Sequence, residues 1–438
     1  MRLTQFARGR RFGRRYAVAA VAAALVLGTT ACSGGGAGGD KTSDGKTVIS
    51  FSYLWTGPEA KALEQVIEKF NASQSKIQVK GVSNPDMQKQ LASMSSAQGT
   101  FDISDGFGNQ VGSWASKGIL EPLDQYLGSN NIDANDFVSA AMGQMKYKDK
   151  TYALPIAVHS FQLLYNKKLL AEAGVQPPKT MDEFATAIRK LTKVDGKGNI
   201  TQLGLGNPDL PTSITTLGYA FGGEWNDPAT GAPTPDKPGN VKALDFYAQN
   251  IVQAYGADKV NRFVGGFGPY MSAQDPFQTG KVAMEIDGEW RCASIASTSP
   301  NFEWGVTQIP VADPAQAGTT QLTSSTLFIP ANSRHKKEAA EFMAYMLGKD
   351  GMLPFSKALG NLPARTSMLD DPIYRDLKNF QPFLDSLKQD KVKALSSAPG
   401  GSEYATDLAS AIDSVNRGKK PAQRALSELA AKAASYGG

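Results

Sequence analysis

The chain has 438 residues, 41% hydrophobic and 20% charged, which is too apolar for a disordered polypeptide and too long for one core to keep growing. Two cysteines and two histidines exclude a disulfide framework and a Cys/His zinc cluster. The formal charge of +5 points to a basic protein until its position along the chain is considered.

Arg2, Arg8, Arg10, Arg11, Arg14 and Arg15 open the chain with no acidic residue among them. The apolar run from Tyr16 to Gly28 has 13 residues, short of the roughly 17 that span a bilayer as a helix. This is the layout of a secretory signal. Of 46 Lys and Arg against 41 Asp and Glu, six Arg belong to this signal, so the remainder carries 40 against 41. No basic field is left to attract nucleic acid. Thr29-Thr30-Ala31-Cys32 resembles the lipobox of bacterial lipoproteins, which implies removal of residues 1–31 and diacylation of Cys32. Ordinary signal cleavage leaving a free Cys is the alternative. Residues 32–45, beginning Ser33-Gly34-Gly35-Gly36, form a flexible Gly/Ser tether. An acylated Cys32 leaves Cys292 unpaired. The rival reading, a Cys32–Cys292 disulfide, would pin down a tether built to be loose.

The mature part reads as alternating strands and helices. Ile49, Phe51, Tyr53 and Trp55 share one face of a strand over 48–55. Thr56-Gly57-Pro58-Glu59 has the spacing of a capping box with Pro in the first turn. Ala62, Leu63, Val66, Ile67 and Phe70 follow at helical spacing, and 77–79 is a second strand, giving a parallel strand–helix–strand unit. Thr180 and Glu183 form another capping box ahead of Phe184, Ala187, Ile188 and Leu191. Asn240 is placed to cap a helix carrying Leu244, Tyr247 and Ile251. A further helix follows Ser333, and the tail from Ser402 is helical, with Leu408, Ile412 and Val415 inward. Strands are expected over 153–165, 282–286, 305–309 and 326–329. Asp195 to Asn199 reads as a hairpin turn, lacking the later Glu of a calcium loop. The class is α/β.

Six segments in order carry a family resemblance. They are Tyr152 to Val158; Leu164 to Leu170; Thr180 to Leu191, matching P-x-T-x-x-E-F; Gly280 to Met284 with Asp287-Gly288-Glu289-Trp290; Trp304-Gly305-Val306 with Ile309-Pro310; and Phe328 to Leu347. Gly360 to Arg365 also resembles the family's G-x-x-P-x-R turn. Together they make the chain resemble the family 1 extracellular solute-binding proteins, the sugar-binding lipoproteins of ABC importers. The resemblance implies a two-lobed, periplasmic-binding-protein-like (type II) fold with a hinge and an interlobe ligand cleft. It assigns 46–155 plus 281–325 to lobe one and 160–278 plus 328–438 to lobe two. Hinge crossings fall at 154–164 and 322–330.

A saccharide offers hydroxyls at its rim and an apolar CH face, so its site needs flat aromatics together with carboxylate, amide or Arg groups. Trp290, just past a strand, matches the family's stacking Trp; packing within a lobe is the other reading. Trp55 ends the first strand. Glu59 either completes the capping box or turns a free oxygen to the cleft. Asp105 and Asn109 lie at the end of another strand, and Asp287 at the end of the strand before Trp290. Maltose-binding members carry a carboxylate at the position of Asn109, a Trp at that of Gly106 and a Glu at that of His159. The departures here argue against maltose, unless Phe107 supplies the missing aromatic. His159 in a crossing is either a ligand residue or a buried, satisfied side chain. Trp225 reads as a cleft wall or a loop anchor, and Arg365 as a hydroxyl donor or a tie between loops. Ser324 and Ser325 are lesser candidates.

The expected function is capture of a mono- or oligosaccharide for delivery to ABC permease subunits, by a monomer held on the outer face of the cell membrane through Cys32. No cofactor, metal or nucleic acid is implied. Two alternatives stand beside it. One is a secreted glycosidase, which needs two carboxylates about 5–9.5 Å apart. The other is the same fold binding a non-sugar solute such as a polyamine or sugar phosphate.

Overall fold

Apolar alternation produces the first strand, β1 (Thr47–Tyr53), which buries Ile49, Phe51 and Tyr53 on one face. The computed structural model describes residues 41–207, 209–389 and 391–436. Cys32, the expected signal and most of the tether lie outside these residues. Helix α1 (Gly57–Ser73) buries Leu63, Val66, Ile67 and Phe70 and leads to β2 (Ile77–Ser83). Strand β2 pairs parallel to β1, with Thr47 opposite Ile77. On the other side of β1 lies β3 (Ile103–Phe107), also parallel.

The remaining order of the sheet is set by one long strand, β4 (Ala153–Asn166). Its later half pairs antiparallel with β5 (Met284–Gly288) and β6 (Trp304–Thr307). Along its first half it pairs antiparallel with β7 (Thr320–Phe328), which in turn pairs with β3. Two short strands, β8 (Leu362–Pro363) beside β4 and β9 (Val392–Ala394) beside β7, complete a sheet of nine strands among the described residues. Pro155 has no N–H to give to a ladder. It is accommodated at a register shift, where Ala157 pairs with Ser325 but Pro155 pairs with Thr326. Such bulges are where a central strand tolerates proline.

Two hydrophobic cores form, and their membership departs from the expected lobes. The first gathers β1 to β3, α1 and residues from Phe328 to Leu387. The second gathers Phe184 to Leu191, Ile214 to Val260, Val282 to Ile286, Ile309, Val311 and Tyr404 to Leu429. Residues 328–387 therefore pack with the first lobe and not the second, while 282–286 pack with the second and not the first. Strand β5 lies along the later half of β4 beside Phe161 and Leu163 of the second core, whereas Trp304 of β6, on the same half of β4, packs with the first. Chain order does not reveal that choice.

Besides the two expected crossings, a third segment links the cores. Strands β4 and β7 make two passages. The third runs from Leu387 in the first core, through β9, to Tyr404 in the second. Gln144 Nε2 donates to the Leu395 carbonyl at 2.7 Å, and the Ser396 N–H donates to Asn226 Oδ1 at 3.1 Å. This segment is thus held from both sides.

The expected caps divide. Thr180 Oγ1 accepts the Glu183 N–H at 3.2 Å, and Glu183 Oε2 accepts the Thr180 N–H at 3.2 Å, completing the box at α2 (Met181–Leu191). Thr56 makes no capping bond at α1. Asn240 lies within its helix, Pro238–Tyr247, where its Nδ2 donates to the Glu224 and Thr234 carbonyls. Asp195 closes the hairpin turn, accepting the Lys197 and Asn199 N–H groups at 2.8 Å each. Cys292 is a buried free thiol. Among the described residues, no helix is long and apolar enough to cross a membrane.

Candidate functional site

The crossing strands floor a cleft of about 620 Å³ between the two cores. Its size falls in the range of small-molecule sites, roughly 300–1,000 Å³. Strand β4 contributes His159 and Phe161, and β7 contributes Gln321 to Ser325. From the first core's side the ends of β1 and β3 bring Trp55, Phe107 and Asn109, and the first turn of α1 brings Glu59. Asp209, Thr212, Tyr270, Met271, Asp287 and Trp290 face them from the second. Side chains at strand ends meet here because an open α/β sheet leaves its crevice beyond those ends.

Trp290 is fixed by its neighbours. Its indole Nε1 donates to Tyr270 Oη at 2.7 Å. The ring stands nearly perpendicular to His159 and Phe161, with centroids at 5.5 and 5.7 Å. A Cβ on Gly288 would fall 2.1 Å from the ring, so only glycine lets the indole lie there. Tyr270 in turn donates to Asp287, with oxygens at 2.9 and 3.1 Å.

Beneath this pair sits a buried charge network. Arg291 bonds both oxygens of Asp275 at 3.0 Å, Glu285 Oε1 at 2.9 Å and Asp287 Oδ2 at 3.3 Å. One guanidinium serves three carboxylates, all out of solvent. Burial pushes the Glu285 and Asp287 carboxyls well above their usual range, and Arg291 pulls them partly back. Burial, followed by the Asp287 charge, also raises the Tyr270 phenol. The network holds Tyr270 and hence the indole.

His159 joins the two sides at the floor. Its Nδ1 lies 2.7 Å from Glu289 Oε1 and its Nε2 lies 3.1 Å from Ser325 Oγ. Glu289 is fully buried and also accepts the Ser160 N–H at 3.2 Å. Trp55 packs edge-on against Phe355 at 4.9 Å. Glu59 is half-buried and, with Thr56 making no capping bond, its carboxylate faces the cleft. Burial pushes its carboxyl above the ordinary carboxylate range, while the field of His159 pulls it partly back.

Of the residues singled out in the sequence, Trp55, Glu59, Asn109, His159, Asp287 and Trp290 come together at the cleft. Three do not. Asp105 is buried and accepts the Leu54 N–H at 2.9 Å, tying β3 to the end of β1; burial lifts its carboxyl to about 8. Trp225 is a core residue, its Nε1 satisfied by the Thr215 carbonyl at 2.8 Å and its ring against Gly218. Arg365 ties loops, bonding Asp136 at 3.1 Å and the Leu347 carbonyl at 2.7 Å, with Phe137 stacked at 4.7 Å. Tyr270 was missed because its loop carries no motif. Phe107 does supply an aromatic where Gly106 does not, since Gly106 packs closely under Trp114 and Phe328. Among the described residues, no group of His, Cys, Asp or Glu is arranged to hold a metal ion.

The family model for bacterial extracellular solute-binding proteins matches residues 55–353, more than half of the chain. The chain belongs to that family. Solute-binding proteins of this family capture their ligands without transforming them, so the chain is a binding protein and not an enzyme. A maltotriose-binding protein from Pyrococcus abyssi is 25% identical over 326 residues, 73% of this chain and 66% of that protein. A galactooligosaccharide-binding protein from Bacillus subtilis is 22% identical over 333 residues, 74% of each. Among solved structures, CpMnBP1 with mannotriose bound superposes with a TM-score of 0.75 at 26% identity, over 88% of this chain and 99% of that one. The two-lobed α/β solute-binding fold is thereby established.

Proposed function

We propose that this solute-binding protein is the capture component of an ABC-type carbohydrate importer, closing on an oligosaccharide and passing it to membrane permease subunits. The observation that carries this reading is the cleft's composition. Trp290, Trp55, Tyr270 and Phe107 offer flat faces, while Glu59, Asn109, Gln321 and Ser324 offer hydrogen-bonding groups beside them. That pairing matches the CH face and hydroxyl rim of a sugar. Relatives whose names specify maltotriose and galactooligosaccharides support the same class. Thermal-shift and calorimetric titration against mono- and oligosaccharides, maltotriose and mannotriose included, tests it. Saturable stabilisation without sugar products is expected. Released products, or no response to any saccharide, would overturn it.

The lipobox-like Thr29 to Cys32 completes the reading as a lipoprotein on the outer membrane face. Two acyl chains hold a protein stably at a bilayer, where one chain is marginal. Cys32→Ser is expected to move the protein from the membrane fraction to the soluble fraction. Equal membrane retention would show that the anchor lies elsewhere.

A further inference from the structure

The charge of the cleft is one-sided. Glu59, Asp209 and Asp287 line it, and among the described lining residues none is Lys or Arg. The nearest cation beneath its wall, Arg291, is fully buried and engaged with three carboxylates. His159 is engaged by buried Glu289 at 2.7 Å. Asp209 is partly committed, capping the helix Leu210–Ala220 through the Thr212 N–H at 3.3 Å. Glu59 differs from all of these. It is half-buried at the cleft wall, Thr56 makes no capping bond beside it, and the one charge acting favourably on it is the field of His159. A carboxylate partly removed from water and without a partner gains most from a donor brought by the ligand. An anion in the same place meets repulsion that the low-dielectric walls strengthen.

Building on the saccharide reading, we propose that the cleft is a charge filter with Glu59 as its selecting residue: it admits neutral and amine-bearing saccharides and rejects those carrying carboxylate or phosphate. Aromatic rings flanking the carboxylate fit the same ligands. Trp55, Trp290 and Tyr270 stack on apolar sugar faces, and ring faces also attract an ammonium group.

Calorimetry with maltotriose and mannotriose, and with the terminal uronate and the 2-amino-2-deoxy derivative of whichever binds, tests the filter. The uronate is expected to bind about tenfold weaker than the neutral sugar or worse, and the amine at least as tightly, from unit charges interacting at close range. In Glu59→Gln the ratio between amine and uronate affinities is expected to shrink several-fold. Equal affinity for uronate and neutral sugar, or an unchanged ratio in Glu59→Gln, overturns the filter while leaving saccharide capture intact. If neither trisaccharide binds, spermidine and glycerol 3-phosphate separate the two ideas. Binding of spermidine alone retains the filter and removes the saccharide reading. Binding of the phosphate, or of no probe at all, overturns both.

Discussion

Trp290 presents its indole to the cleft because independent constraints agree on one orientation. Tyr270 accepts from the ring nitrogen, Gly288 leaves room beneath the ring, and His159 and Phe161 flank it. A ring held in this way loses little freedom when a ligand stacks on it. Trp290→Ala is therefore expected to weaken saccharide binding by roughly 1–3 kcal/mol, measured by calorimetry; wild-type affinity would remove the residue from the site. Asp105 carries a different lesson. Its carboxyl is raised to about 8 by burial, against an ordinary value near 3.9 in an unfolded chain. Between those two values the folded protein holds a proton that the unfolded chain has lost. Stability therefore falls as pH rises from about 4 to about 8, by at most about 1.4 kcal/mol per pH unit from this group. Glu285 and Asp287 are shifted in the same direction. Asp105→Asn keeps an acceptor for the Leu54 N–H and is expected to flatten part of the loss of melting temperature between pH 5 and pH 8. An unchanged slope would show that this carboxyl ionises freely in the fold.

Elements were legible in the sequence where the apolar period is strong. The alternation of Ile49, Phe51 and Tyr53 gave a strand, and the Thr180–Glu183 box with Phe184, Ala187, Ile188 and Leu191 gave a helix, both with boundaries within two residues. The cap at Thr56 has the same spacing as that at Thr180 and is not made, because a capping bond depends on where the side chain turns and not on spacing alone. The pair makes a controlled comparison. Thr180→Ala is expected to cost about 1 kcal/mol, as lost N-caps do. Thr56→Ala is expected to stay within about 0.5 kcal/mol, as surface changes do. Chemical denaturation of both variants reads the difference, and equal losses would mean that Thr56 caps α1 in solution. The site was legible only in part. Trp290, just past β5, and Glu59, in the first turn of α1, reach the cleft, but aromatic or charged character alone does not distinguish a cleft from a core. Trp225 and Asp105 satisfy their polar atoms inside the protein. Tyr270 stands in a loop without periodicity, and nothing local marks it as the acceptor for Trp290.

At the scale of the molecule, chain crossings join the two cores and the cleft lies between them. The expected lobe bounds depart from the two cores because strands beside the same half of β4 divide between them, β5 to the second and Trp304 of β6 to the first, a long-range choice absent from local pattern. The third crossing was missed for a related reason: β9 has three residues and no period. That crossing is also the most tightly fitted. A Cβ on Gly112 would fall 1.7 Å from the Ser397 carbonyl oxygen, so the helix Val111–Ser116 and the crossing touch backbone to backbone. Neither residue lines the cleft. If ligand capture closes one core against the other, the crossings must absorb the change in dihedral angles, and crowding this contact will bias that equilibrium. A ligand binding only the closed form loses affinity in proportion to the fraction of protein able to close. Gly112→Ala is expected to shift the saccharide dissociation constant several-fold and to lower the melting temperature. Gly143→Ala, on a neighbouring helix with open space around its Cβ, is expected to leave affinity unchanged. Saturating ligand at about 100 times its dissociation constant adds roughly 2.7 kcal/mol to a protein that binds it only when folded, so the ligand-induced melting shift reports both effects in one measurement. Gly112→Ala binding as tightly as the parent would show that the third crossing is a passive tie and that closure, where it occurs, turns on β4 and β7 alone.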